Sequence, residues 1–206
     1  MNLRSEKKLV LATGNQKKLV ELQAILQDAG VEILTLDDFP SLPEVEEDGQ
    51  TMAENAVKKA RIVCEFTGLP TLADDSGLEV DALGGRPGVY SARFAGEPTD
   101  DARNNAKLLN LMDGVPDEKR LARFRCVIAL AVPEGGVRTA TGTVEGRIGH
   151  GPRGTGGFGY DPLFTPEGYD QTFAELPGTI KNRISHRSRA LTAIRPAILS
   201  VWGDEA

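Results

Sequence analysis

Leu9-Val10-Leu11-Ala12 is an unbroken apolar run that passes straight into Thr13-Gly14-Asn15. Apolar residues then recur at helical spacing as Leu19, Leu22, Leu26 and Ala29, up to Gly30. The run suits a buried strand, the polar triplet a turn and helix cap, and the stripe a helix with one covered side that a glycine stops. Neither element can bury its apolar surface alone, so the chain needs a sheet for the strand and a second layer for the helix.

The alternation continues downstream. Residues 31–36 read as a second strand and 37–50 as an acidic, proline-containing loop. Thr51 followed three positions later by Glu54 has the form of a capping box, and Ala56, Ala60 and Val63 supply the buried stripe of the helix it opens. Thr71-Leu72-Ala73 reads as a strand that ends at Asp74-Asp75-Ser76-Gly77, with a further strand over 78–80. A helix is expected over 100–112, then longer strands over 122–132 and 137–148, joined through Pro133-Glu134-Gly135-Gly136. A last helix starts near Ile184, and Pro196 is expected to kink or interrupt it. Strands alternating with helices early and a hairpin later give an α/β fold with a mixed sheet. With no repeat and no low-complexity linker, the 206 residues read as a single domain, 1–206.

Charge and composition narrow the function classes. A formal net charge of -6 argues against a broadly basic surface for a nucleic-acid polymer, while leaving room for a local basic pocket that takes a phosphorylated small molecule. His150 and His186 are the two histidines, which excludes a Cys/His zinc site; a metal here must be held by carboxylates and water, as magnesium or manganese is. Cys64 and Cys126 lie far apart in apolar contexts and read as free buried thiols of a reducing cytoplasm. The run from Leu9 to Ala12 is too short for a signal-peptide core or a membrane span, so the expected location is cytoplasmic, with no membrane partner.

Three groups of residues could carry chemistry. In the turn Thr13-Gly14-Asn15-Gln16-Lys17-Lys18 the free amides and the positive end of the helix dipole point at one place. Asn15 can cap, Thr13 can offer a hydroxyl, and Lys17 or Lys18 can reach a phosphate. The Walker A spacing is missing, and an ordinary capped helix with solvated lysines explains the same residues. The second group is acidic. Two adjacent carboxylates, Asp74 and Asp75, repel each other at a strand end, where open α/β sheets face their ligand, and a divalent cation relieves that repulsion. Glu46 or Glu47 can add a carboxylate, whereas Glu54 belongs to the cap; turn chemistry and a solvated charge run are the plainer readings.

The third group is split between a glycine-rich run and a basic finish. Gly154, Gly156 and Gly159 match G-x-G-x-x-G, yet Tyr160-Asp161-Pro162 cannot open a long helix there, which rejects a dinucleotide loop. A backbone wrapped around a planar ring remains, with Phe158 stacking on it and Asp161 accepting from ring N–H groups, beside the reading of a plain loop. Lys181, Arg183, His186, Arg187 and Arg189 cluster where the last helix opens, an unfavourable place for cations unless an anion binds; a solvated basic face is the alternative.

The strings Thr13-Gly14-Asn15-x-x-Lys18, Ala73-Asp74-Asp75-Ser76-Gly77-Leu78, Gly84-Gly85-x-Pro87-Gly88-x-Tyr90-Ser91-Ala92-Arg93, Gly156-Gly157-Phe158-Gly159-Tyr160-Asp161-Pro162 and Ser185-His186-Arg187, in that order, resemble the Ham1-type inosine/xanthosine triphosphate pyrophosphatases over nearly the whole chain. The resemblance implies a Maf/Ham1-like α/β homodimer with an elongated mixed sheet flanked by helices, and two lobes with a substrate cleft between them. It implies hydrolysis of non-standard purine nucleoside triphosphates to the monophosphate and pyrophosphate, with magnesium. By position, 13–18 would hold phosphates, and Asp75 would bind metal and accept the proton of water. Glu47, or else Glu46, would complete the metal shell. Phe158, Gly159, Tyr160, Asp161, Lys181, His186 and Arg187 would surround base and sugar, and Ser76 and Lys59 match positions near the site. Pro177-Gly178 before Lys181, and Pro196, depart from the family pattern. A relative with another base preference and a non-catalytic nucleotide-binding regulator are the competing functions.

Overall fold

The computed structural model describes residues 7–27 and 30–203. Its strands are β1 (Lys8–Leu11), β2 (Glu32–Thr35), β3 (Thr71–Val80), β4 (Leu121–Ala131), β5 (Val137–Ile148) and β6 (Phe164–Pro166). Its α-helices are α1 (Gln16–Leu26), α2 (Met52–Thr67), α3 (Asp101–Leu111), α4 (Gly178–Ile184) and α5 (His186–Ser200). The six strands form one sheet in the order β2-β1-β3-β4-β5-β6. β1 runs parallel to β2, with Leu9 opposite Ile33, and to β3, with Val10 opposite Thr71. β6 runs antiparallel to β5. The sheet is therefore mixed and the fold is α/β.

The chain divides into two compact units: one of residues 1–75, 127–141 and 190–206, the other of 76–126 and 142–189. In the first, Leu9, Val10 and Leu11 of β1 are fully buried, as are Ala56 and Ala60 of α2. That is what a strand covered on both faces and a one-sided helix require. In the second, Leu78, Phe124, Val144, Tyr160, Phe164 and Phe173 share a core. The Phe124 ring meets Phe164 edge-on at 4.7 Å and stacks on Phe173 at 5.9 Å, the offset arrangements that aromatic quadrupoles favour.

Local chemistry sets the element ends. Asn15, Thr51 and Asp100 cap α1, α2 and α3 through their side chains, and Gly68 closes α2 in the left-handed region. Thr51 Oγ1 accepts from Glu54 N at 3.2 Å, while the Glu54 carboxylate accepts from Gln50 N at 2.7 Å, one residue before the position that would close a capping box. Leu19, Leu22 and Leu26 of α1 are buried as expected; Ala29 lies outside the described residues.

Three expectations need correction. Asp74-Asp75-Ser76-Gly77 does not end a strand, because β3 runs through it to Val80. Serine and glycine suggest a turn only where the backbone lacks ladder partners, and here the sheet order places β3 between β1 and β4. Pro196 does not interrupt α5, which continues to Ser200. Leu191, Ile194 and Ile198 are buried on both sides of it. Each such side chain contributes about 1.5–3 kcal/mol, which together exceeds the roughly 3 kcal/mol that an interior proline costs. Finally, the basic cluster is not one helix start. Lys181 and Arg183 occupy the last turn of α4, where cations suit the dipole, and Ser185 breaks the chain before α5. Pro177 is the residue just before α4 and Gly178 its first, so the departure at 177–178 opens a helix of its own.

Candidate functional site

β1 stops at Leu11, and the chain turns through 12–15 into α1. Asn15 Oδ1 accepts from the amides of Lys17 (3.0 Å) and Lys18 (3.2 Å), while Thr13 Oγ1 accepts from Asn15 N at 3.2 Å. Gly14, Asn15, Gln16 and Lys17 are exposed at this positive helix end. Lys18 is drawn inward, and its Nζ lies 3.0 Å from Asp74 Oδ2, a carboxylate whose side chain is fully buried.

Because β1 ends where it does, β3 loses that neighbour just before the aspartates: Ala12 N donates to Leu72 O, and the register of the two strands ends at Leu11 opposite Leu72. The strand end beside the aspartates is thus that of β1, not of β3. Asp75 Oδ2 accepts from Asn55 Nδ2 at 3.0 Å, and Asn55 Oδ1 in turn accepts from Gly49 N at 2.7 Å. A Cβ on Gly49 would sit 2.6 Å from that Oδ1, so glycine lets the acidic loop press against α2. One turn further along α2, Lys59 Nζ donates to Glu47 Oε1 at 2.5 Å and to the Asp74 carbonyl at 2.7 Å. Glu47 is half-buried, whereas Glu46 faces solvent. The structure therefore brings Lys18, Asp74, Asp75, Asn55, Lys59 and Glu47 together, and leaves Glu46 outside.

Burial is the largest influence on Asp75 and pushes its carboxyl up; Lys18, Lys59 and the Asn55 amide pull the other way without cancelling it, and Glu47 adds to the rise. For Lys59 burial alone would lower the ammonium, but Asp74, Glu47 and Asp75 together leave it raised. The result is a carboxylate shifted toward proton acceptance beside two cations, an arrangement suited to activating water next to a polyanion. Among the described residues no three of His, Cys, Asp or Glu gather into a metal cage. Magnesium does not need one, since it takes one or two protein carboxylates and fills its shell with water and phosphate oxygens. Asp75 and Glu47 offer that kind of hard oxygen donor, so the residues fit the ion.

Asn55 went unnoticed in the sequence. The available signal was a polar pair, Asn55 and Lys59, four apart on the helix face that also buries Met52, Ala56, Ala60 and Val63.

In the second unit the run 151–163 forms loops and turns with no helix, in keeping with the rejected dinucleotide fingerprint. Two of its glycines press against the protein's own chain. A Cβ at Gly154 would strike the Ala174 backbone and one at Gly157 the Asp161 carboxylate, so the loop packs on its own chain. Asp161 is buried; its Oδ2 accepts from Phe158 N (2.8 Å) and pairs with Lys181 Nζ (2.7 Å). Tyr160 lies in the core, its hydroxyl donating to Ser91 O at 2.9 Å, and burial raises its pKa. These two residues support the loop from beneath. Phe158 itself is half-buried, with Lys181 Nζ 4.9 Å and Arg187 Cζ 5.8 Å from its ring centroid. His186 stacks on Phe124 at 4.9 Å, and Arg187, buried, reaches Ser76 Oγ at 3.4 Å. What this group offers a ligand is an aromatic face flanked by groups that can only donate hydrogen bonds.

A sequence pattern described as the Ham1 family matches residues 9–197. The chain is 60% identical over 184 residues to a dITP/XTP pyrophosphatase of Desulforamulus reducens, covering 89% of this chain and 92% of the relative. It is 56% identical over 188 residues to the dITP/XTP pyrophosphatase of Geobacter sulfurreducens, covering 91% and 94%. Among solved structures, the Staphylococcus aureus Ham1 protein superposes with a TM-score of 0.84 at 39% identity, and a HAM1 protein from Coxiella burnetii with 0.85 at 42%. Each alignment covers 94% of this chain and 98% of the other.

Proposed function

The chain belongs to the Ham1 family, and from that premise we propose that it hydrolyses the triphosphates of non-standard purines, (d)ITP and (d)XTP, to the nucleoside monophosphate and pyrophosphate. The observation that carries the chemistry is the buried cluster of Asp74 and Asp75 held against Lys18, Asn55 and Lys59 at a capped helix start. The amides of Gly14 and Gln16 and the side chain of Lys17, exposed at the start of α1, bind phosphate oxygens. Asp75, oriented by Asn55, accepts a proton from water as the water oxygen bonds to the α-phosphorus. The bridge from the α-phosphorus to the β-phosphate breaks, and pyrophosphate leaves with Lys18 countering its charge. Asp75 and Glu47, which Lys59 holds in place, would carry magnesium; when bound, the ion neutralises charge on the phosphate oxygens.

The base is read by Phe158, Lys181 and Arg187. A 6-oxo purine presents an acceptor to Lys181 and Arg187, which can only donate, whereas adenine presents an amino donor, and such a mismatch can reach about 10⁴-fold. Guanine shares the 6-oxo group and N1–H, so its 2-amino group must be excluded by shape or an unmatched polar contact. The family likeness supports a homodimer, which light scattering tests; the short apolar run at 9–12 and the two free cysteines support a cytoplasmic location, and no helix among the described residues is long and apolar enough to cross a membrane. The enzymatic reading is tested by pyrophosphate release from a panel of dITP, XTP, dATP and dGTP. It predicts that dITP and XTP outrun the other two by at least about 100-fold. Equal rates for all four would defeat the base reading, and no release from any would defeat the reaction.

A further inference from the structure

Gly159 is held by a helix that none of the motif strings includes. Gly159 N donates to Asp101 Oδ2 at 2.8 Å, and Gly159 O accepts from Asn105 Nδ2 at 3.0 Å. Asp101 and Asn105 are four residues apart on α3 and so share a face, from which they take the donor and the acceptor of one glycine. Asn105 Oδ1 is buried with no hydrogen-bond partner among the described residues. A buried acceptor in that state is a cost, one that a smaller apolar residue would avoid, so the donation to Gly159 is what an asparagine supplies here. Gly159 is itself left-handed (φ 59°), a conformation that glycine adopts without steric cost and, being permissive, does not enforce by itself.

The residue before Gly159 is Phe158. Its own amide is tied to Asp161, which also carries Lys181. The backbone of Phe158 is thus anchored on one side by Asp161 and on the other, through Gly159, by α3. We infer that Asp101 and Asn105 are positioning residues for base recognition: they fix the Gly159 backbone and thereby the Phe158 ring relative to Lys181. This rests on the proposed reading of Phe158 as the base-stacking ring, and loosening the clamp lets that ring drift from the Lys181 donor. Displacements of about 1 Å at a recognition site can cost up to about 100-fold.

The test uses the full chain with Asp101→Ala, Asp101→Asn, Asn105→Asp and Asn105→Ala, the last keeping the test open if a buried aspartate prevents folding. Asp101→Asn loses the favourable charge in the first turn of α3 as Asp101→Ala does, yet keeps an acceptor oxygen for Gly159 N. In Asp101→Ala and both Asn105 variants, kcat/KM for dITP is expected to fall about tenfold, mainly through KM, and the preference for dITP over dATP to narrow by a similar factor. Asp101→Asn should stay near wild type. The amide exchange of Gly159, measured by NMR without nucleotide, should accelerate at least about tenfold in Asp101→Ala and little in Asp101→Asn. Equal losses in the two Asp101 variants would reduce the contact to helix stability and overturn the inference, as would unchanged preference in the Asn105 variants. A wild-type enzyme without preference for dITP would overturn the reading of Phe158, and the exchange measurement would still decide the clamp.

Discussion

Asp75 is held in an environment that works against its charge. Burial pushes its pKa up further than Lys18, Lys59 and the Asn55 amide pull it down. A group whose folded pKa exceeds its unfolded one stabilises the fold fully below the unfolded value, and loses that contribution as pH rises through the folded value. At neutral pH the ionised Asp75 is therefore a net cost to the fold. Asp75→Asn should lower turnover at least about 100-fold by removing the proton acceptor, yet leave the melting temperature at pH 7.5 in metal-free buffer equal or higher. Marked destabilisation by that change would mean the carboxylate is structural. Asp161 and Lys181 form a buried ion pair at 2.7 Å, in which each charge is the other's partner. Lys181→Met strands the Asp161 charge and should cost about 3 kcal/mol in urea unfolding, over and above any loss of base preference. Much of this was legible in the residues themselves: adjacent aspartates, a lysine on a first turn and an aromatic beside an aspartate are chemically conspicuous. Asn55 was not, because one asparagine on an apolar stripe identifies its partner only after the helix is docked.

At the scale of elements, capping and strand ends position the turn that is proposed to hold phosphate. Asn15 Oδ1 receives two amides of α1, so Asn15→Ala should cost about 1 kcal/mol in unfolding and weaken the competitive inhibition by pyrophosphate. In α5 the proline is tolerated rather than required. Pro196→Ala restores a donor to an unbroken helix and should raise stability by at least about 1 kcal/mol, as thermal melts would register; a loss would show that α5 depends on the ring. Helices α1 and α2 could be read from caps and periodicity, and β5 to the residue, since those signals are local. β3 could not. Whether Asp-Asp-Ser-Gly turns or extends depends on the strands beside it, which come from sequence far before and far after it. The split between α4 and α5 was hidden for a similar reason: the extended backbone at Ser185 carries no glycine or proline to announce it.

At the scale of the molecule, an α/β chain of net charge -6 still gathers cations locally, Lys18 and Lys59 beside carboxylates in one unit and Lys181 and Arg187 beside the Phe158 ring in the other. The six-stranded mixed sheet was legible in outline from alternating apolar runs and stripes, whereas the division into two units follows from long-range packing that no local pattern encodes. The most direct measurement is pyrophosphate release from dITP by the wild-type chain and by Asp75→Asn, each with magnesium and with chelator. Rapid release by wild type with magnesium, falling at least about 100-fold in each of the other three reactions, is the predicted result. Near-equal release by Asp75→Asn, or by the wild type in chelator, would contradict a mechanism in which that carboxylate activates water beside a metal-bound triphosphate.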